Sequence, residues 1–457
     1  MSPAEELVLS KVVHKAFVKV NETGTEAAAA NISSLDELDV MAYSNPLSKV
    51  FTFPLDLFRR LYTMAFSSPL TKANTSFCLA LFKKLSENDN TANIFFSPFS
   101  ISSALAMLML GARGNTAAQM SECLETKECQ DEVHTGFTQL LRELNKAGAL
   151  YALSVANRLY GEKSCQFEEE FLESTKKHYE AELEMVDFIT GFEAARLNIN
   201  NWVEGKTQGK IKDLLAQGVV DSLTRLVLVN AIYFKGKWSE QFEEWMTWPT
   251  PFRLTKNETK TVKMMRIKSK FPLADIPEAN FQILEMPYKG KELSMLIFLP
   301  NEIEDETTGL EKLEMQLTYE NFERWTNMMQ EVEVMVKLPR FKMEETYDLM
   351  GVLMSMGMVD AFDMGMCDFS GMSPAKELVL SKVVHKAFVE VNETGTEAAA
   401  ATFFSSYASI NLSKPLCFIA DHPFVFFIRH NPSKSILFAG RHCSPLPHHD
   451  NEFKLWC

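Results

Sequence analysis

The sequence predicts a mixed α+β fold, on three observations. Ser97-Pro98 is a helix start, an N-cap followed by proline in the first turn, and Ile101, Leu105 and Leu108 then recur on one helical face. Short apolar runs such as Leu226-Val227-Leu228-Val229 read as strands. Phe424-Val425-Phe426-Phe427-Ile428 is apolar on both faces, the pattern of a strand buried on two sides.

In chain order, the helix begun at Ser97 should end at Gly111 and Gly114 and pack its apolar side beneath a sheet. An acidic helix is predicted around residues 122–128, and further helices over 168–181 and 192–206. Residues 226–229, 293–299 and 332–338 read as strands. The 457 residues, 46% hydrophobic and 23% charged, suffice for a large core. Length alone would allow two or three domains; with no linker between 64 and 445, one large domain is expected there.

A net charge of −14 disfavours a polyanion-binding surface, so neither heparin nor DNA is expected as a partner, and the basic stretch 206–212 reads as a solvated face. The eight cysteines are scattered, with no C-x-x-C pair and no zinc spacing, which fits reduced thiols; no metal or other cofactor is expected. No stretch approaches the roughly 20 apolar residues of a membrane span, and Met1 leads into Ser-Pro-Ala-Glu-Glu rather than a signal peptide. A cytoplasmic monomer is expected, with secretion without a cleaved signal as the alternative; there the glycosylation acceptors Asn74, Asn257 and Asn411 would matter.

The chain also repeats itself. Residues 1–30 match 372–401 at 28 of 30 positions, differing only as Glu5 against Lys376 and Lys19 against Glu390. Each copy reads as a strand, Leu-Val-Leu-Ser-Lys-Val-Val-His-Lys-Ala-Phe-Val, then a turn at Asn392, Glu393 and Gly395 (second-copy numbers), then a run of small residues. At period two, Thr396, Ala398, Ala400 and Thr402 share one face, and Glu397, Ala399 and Ala401 the other. Small, uncharged alternate side chains can slip between two existing strands with little steric or desolvation cost.

With these residues the chain resembles the serpin family, over nearly all of 64–445, and within it the ovalbumin-like (clade B) branch. The resemblance rests on the hinge Gly395-Thr396-Glu397-Ala398-Ala399-Ala400-Ala401-Thr402 and on Phe418-Ile419-Ala420-Asp421-His422-Pro423-Phe424-Val425-Phe426-Phe427-Ile428. It rests also on Asn230-Ala231-Ile232-Tyr233-Phe234-Lys235-Gly236-Lys237-Trp238 and Phe96-Ser97-Pro98-Phe99-Ser100-Ile101-Ser102. It implies three β-sheets, about nine helices and an exposed reactive-centre loop at about 393–415. It further implies a polar cluster of Ser97, Ser100, Asn230 and His385 where strands must part, with Trp238 and an Arg340–Glu393 ion pair guarding the base of the loop. Taken alone, His385 reads as a satisfied core histidine, Trp238 as packing and the ion pair as a surface pair of little worth; the motif context favours the switch reading for His385.

The implied activity is suicide-substrate inhibition of serine proteases in a covalent complex, with cysteine proteases as a secondary target class. Counting from Gly395 places the scissile residue at Ser409, followed by Ile410; counting back from Ala420 gives Ile410-Asn411, and Tyr407 suits a chymotrypsin-like target. No Lys or Arg lies between Thr402 and Ser413, so an elastase-like rather than a trypsin-like pocket is expected. Phe403 and Phe404 depart from the small-residue pattern and oppose easy insertion. Residues 1–63 read as a poorly ordered, duplicated extension whose alternative role is to compete with the loop, and 446–457 as a tail. A non-inhibitory member (storage, chaperone or partner-binding) or a plain protease substrate is the other reading. No hydrolase elbow, His-Glu-x-x-His site or phosphate loop suggests an enzyme.

Overall fold

The computed structural model describes residues 7–9, 16–20, 25–28, 69–374, 378–396 and 416–445. The chain divides into two compact units, Met1–Met64 and Ala65–Cys457. In the first, β1 (Leu7–Leu9), β2 (Ala16–Val20) and β3 (Thr25–Ala28) form an antiparallel sheet in that order.

The second unit opens with α1 (Pro69–Asn88), β4 (Ile94–Phe96), α2 (Pro98–Met109), α3 (Gly114–Cys123) and α4 (Val133–Leu144). It continues through β5 (Tyr151–Glu162), α5 (Glu169–Tyr179), β6 (Leu183–Val186), α6 (Phe188–Lys206), β7 (Leu226–Lys237), β8 (Trp248–Arg253) and β9 (Thr259–Ile276). Then come β10 (Phe281–Pro287), β11 (Leu293–Pro300), α7 (Glu311–Gln316), α8 (Tyr319–Thr326), β12 (Gln330–Pro339), β13 (Phe341–Asp348) and α9 (Met350–Ser355). The last elements are β14 (Leu380–Val391), β15 (Gly395–Thr396), β16 (Leu416–Ile419), β17 (Phe424–His430) and β18 (Ser435–His442). The described residues of this unit thus hold nine α-helices.

Its strands make a six-stranded sheet, β13-β14-β15-β7-β5-β6, and a nine-stranded one, β16-β12-β9-β10-β11-β17-β18-β4 with β8 also on β9. The 18-residue β9 explains the second: its first part pairs with β8 and β12, its last four residues with β10, so one long strand joins two sheets. With the six-stranded sheet this gives the three expected. β17 lies between β11 and β18 with Phe424–Ile428 buried, as the two-faced apolar run predicts.

Local signals account for most boundaries. Ser97 caps α2, its Oγ accepting from the Ser100 N–H at 3.1 Å, with Pro98 in the first turn. α6 starts four residues before the predicted 192 because Asp187 caps it, accepting from the Thr190 N–H at 2.9 Å, and the helix continues across a kink at Gly191. The predicted helix at 122–128 is not continuous: α3 ends at Cys123 and Glu125 turns left-handed at φ +58 before a 3-10 segment starts at Lys127. Among the described residues no helix is long and apolar enough to cross a membrane, and Cys78, Cys123, Cys129, Cys367 and Cys443 are free thiols.

Two cores sandwich the six-stranded sheet. Leu226, Leu228, Ile232 and Phe234 of β7 and Val383, Ala387 and Val389 of β14 face the larger core over α2. Val227, Val229, Ala231 and Tyr233, with Val384 and Phe388, face α6 through Ile199 and Val203. On β18 of the nine-stranded sheet Arg441 is fully buried, donating to the Asp89 and Ala92 carbonyls and to Ser86, and pairing with Glu314 at 3.1 Å. Arg441→Ala leaves the largely buried Glu314 carboxylate without its cation and should cost about 3–5 kcal/mol, read as a lowered urea midpoint at pH 7.

Candidate functional site: a sheet seam held half open

β7 and β14 are parallel neighbours, paired from Leu226↔Leu380 to Tyr233↔Phe388. Beyond Phe388 they part, and β15 occupies the gap, with Thr396 opposite both Val391 and Gly236 and Gly395 opposite Lys237. Both contacts of β15 are antiparallel. The chain after β14 therefore folds back and places its first two residues between two strands that remain paired to each other below.

The fold-back is a tight turn made by the predicted residues. Asn392 exchanges backbone bonds with Gly395, and its Oδ1 accepts from the Thr394 and Gly395 N–H groups at 3.1 and 3.2 Å. Gly395 has φ +153, and a Cβ there would lie 2.2 Å from the Gly236 carbonyl oxygen, so only glycine can pass. Glu393 is buried; its carboxylate accepts from Thr247 Oγ1 at 2.8 Å and meets Arg340 Nε at 3.4 Å, while the Arg340 side chain is 41% exposed. Trp238 is buried, donates from Nε1 to the Asn392 carbonyl at 3.0 Å and from its backbone to Thr394 at 2.8 Å. All three expected guards thus converge on the turn.

At the paired end of the seam, Ser97, Ser100, Asn230 and His385 come together, every one buried. The Ser97 N–H donates to His385 Nε2 at 3.1 Å, so the ring proton is on Nδ1, which donates to Asn230 Oδ1 at 2.6 Å. Ser100 Oγ lies 2.8 Å from Asn230 Oδ1 and 2.6 Å from Nδ2. Ser97 Oγ donates to the Leu437 carbonyl at 2.6 Å. His385 and Asn230 are direct partners in the parallel ladder. One side-chain bond therefore ties the two strands across the seam, and α2 supplies the polar groups beneath it.

Sequence reasoning missed Tyr288, which is buried just after β10 and bonds through its hydroxyl to Thr396 Oγ1 at 2.8 Å. Nothing in the local pattern around Pro287-Tyr288-Lys289 marks it; the contact exists only once two distant strands meet. The hinge residues Glu397, Ala398, Ala399, Ala400, Ala401 and Thr402, and the bait candidates Tyr407, Ser409, Ile410 and Asn411, lie outside the described residues.

Burial holds His385 neutral, pushing its pKa down to about 3, and burial likewise lowers His134 and His430 to about 4 and His442 to about 3. Below pH 6.5 the unfolded chain takes up protons that these native rings refuse, so stability is full above 6.5 and falls as the pH drops toward 3. His385→Gln removes one such ring. Unfolding free energies from urea titrations between pH 6 and 4.5 should then fall less steeply, by about 1.4 kcal/mol per pH unit, than in the unaltered chain.

This arrangement has known relatives. The family model for serpins (serine protease inhibitors) matches residues 1–55 and 72–445. Leukocyte elastase inhibitor from Equus caballus is 55% identical over 378 residues, covering 82% of this chain and 99% of that protein. The Homo sapiens protein of that name is 54% identical over 379 residues with the same coverage. The crystal structure of uncleaved ovalbumin superposes with a TM-score of 0.75 at 38% identity, covering 82% of this chain and all of that one. The chain belongs to the serpin family.

Proposed function

We propose that this chain is a suicide-substrate inhibitor of elastase- or chymotrypsin-like serine proteases, and that the segment after Gly395 is both bait and missing strand. The observation that carries this reading is Thr396 seated between β7 and β14, in antiparallel register with both. Continuing that register brings Ala398 between Val389 and Phe234, Ala400 between Ala387 and Ile232, and Thr402 between His385 and Asn230. Side chains opposite one another in a ladder share a face. Thr402 would thus present its hydroxyl to the two groups whose mutual bond insertion must break, and can accept from His385 Nδ1 while donating to Asn230 Oδ1. Glu397 would emerge beside the exposed Lys235.

A target protease attacks the loop through its own nucleophile and forms an acyl-enzyme. Cleavage frees the segment from Thr396 to the scissile residue, and roughly 14 residues at ~3.3 Å each carry the tethered protease about 45 Å along the seam. One parallel pairing is replaced by two antiparallel ones, and each new ladder bond contributes about 1 kcal/mol. Displacement of the protease distorts its oxyanion hole, and the acyl bond persists.

The same register refines the role of Phe403 and Phe404. Phe404 would enter the larger core beside Val383 and Leu228, and Phe403 would meet Val384 and Val229 beneath α6, so both rings need covered space. These two residues set how fast insertion can run against deacylation.

Incubation with neutrophil or pancreatic elastase should give a heat-stable covalent band on a denaturing gel, and the released C-terminal peptide should begin at Ile410. Ala400→Arg should abolish that band while the loop is still cut to completion, because a cation cannot be buried between Ala387 and Ile232. Cleavage without a band in the unaltered chain would favour the plain-substrate reading.

A further inference from the structure

We propose that Tyr288 is a hinge latch, a positioning residue whose hydroxyl holds Thr396 in the seam before cleavage and so sets the balance between inhibition and turnover. The inference rests on the reading above and names a control on it. The phenol is fixed from every side: its ring stacks on Trp238 at 4.5 Å and 14°, the Phe234 ring meets it at 5.0 Å and 84°, and its N–H donates to the Leu293 carbonyl at 2.9 Å. Gly236 makes room for it; a Cβ there would sit 3.1 Å from Tyr288 Cδ1 and 2.7 Å from Phe234 Cζ.

Tyr288 and Thr396 are buried to 1% and 0% exposure, and their hydroxyls bond to each other at 2.8 Å. Burial keeps the phenol protonated. Withdrawal of Thr396 therefore leaves a buried hydroxyl without its partner, which opposes withdrawal. Of the four residues on the inserting face, Thr396 is followed by Ala398 and Ala400, which have no group to offer a phenol. The bond therefore recognises Thr396, the first residue of the inserting face, and no later one before Thr402.

Two consequences follow from a seated Thr396. The free span of the loop is shorter, which restrains docking into a protease cleft. Insertion also starts from a ladder already begun, which favours trapping over deacylation. Releasing the latch should make the loop easier to cut and poorer at trapping.

The test uses the full chain as Tyr288→Phe, Thr396→Val and the double variant. Thr396→Val leaves the Tyr288 packing intact, and urea midpoints confirm folding in each. Each single variant should raise the rate of loop cleavage by thermolysin, and the moles of inhibitor consumed per mole of elastase trapped, by about two- to tenfold. The double variant should match the singles, because both remove the same bond. Trp238 emission should shift as its turn loosens. Unchanged cleavage and stoichiometry in both single variants, or multiplying effects in the double, would overturn the latch. If no elastase is trapped even by the unaltered chain, the inhibitor reading fails, while thermolysin cleavage and Trp238 emission still decide whether Tyr288 holds the hinge.

Discussion

The structure turns on two parallel strands that pair with each other although an antiparallel strand has already begun to separate them. β7 and β14 keep a ladder from Leu226 to Tyr233, closed by the His385–Asn230 bond, yet diverge around Thr396. Parallel pairing is the slightly weaker arrangement per residue, and the interposed strand would meet an antiparallel partner on each side. For the residues that follow Thr396, the seam's own two edges would thus be the better partners.

Each feature around the seam either holds it closed or eases its opening. The polar cluster beneath it is fully bonded with one neutral histidine tautomer, so it stabilises the closed form while consisting of groups that can exchange partners. At the other end Gly395 passes where no Cβ fits, Trp238 and Arg340 brace the turn, and Tyr288 holds the first inserted residue. α6 and α2 cover the two faces, so any residue that follows Thr396 into the sheet must fit a packed core on one side or the other. Small alternate side chains satisfy that constraint, and Phe403 and Phe404 test it.

Much of this was legible in the residues, because the strongest local signals are local in cause. The Ser97-Pro98 cap, the two-faced apolar run at 424–428 and the Asn392–Gly395 turn each depend on neighbours within a few positions. The acidic stretch at 122–128 misled because helical composition there is overridden by a left-handed Glu125. The start of α6 was hidden by Gly191, which reads as a break but is bridged by the Asp187 cap. Tyr288 could not be found from sequence, since its role comes from a strand crossing 108 residues away. The duplicate shares one pairing with the second copy. In the first copy Val20 pairs with Thr25 and the ladder continues to Phe17↔Ala28; in the second, Val391 pairs with Thr396 in the corresponding register. In both copies the valine that ends the strand thus pairs antiparallel with the threonine five residues on.

The central claim is that the intact chain is held short of a more stable pairing of the same strands. Thermal unfolding of the intact protein and of a sample nicked once within 397–415 measures this directly. The account predicts a clearly higher midpoint for the nicked form, because the freed segment completes the sheet. Equal midpoints, or a lower one after nicking, would contradict it.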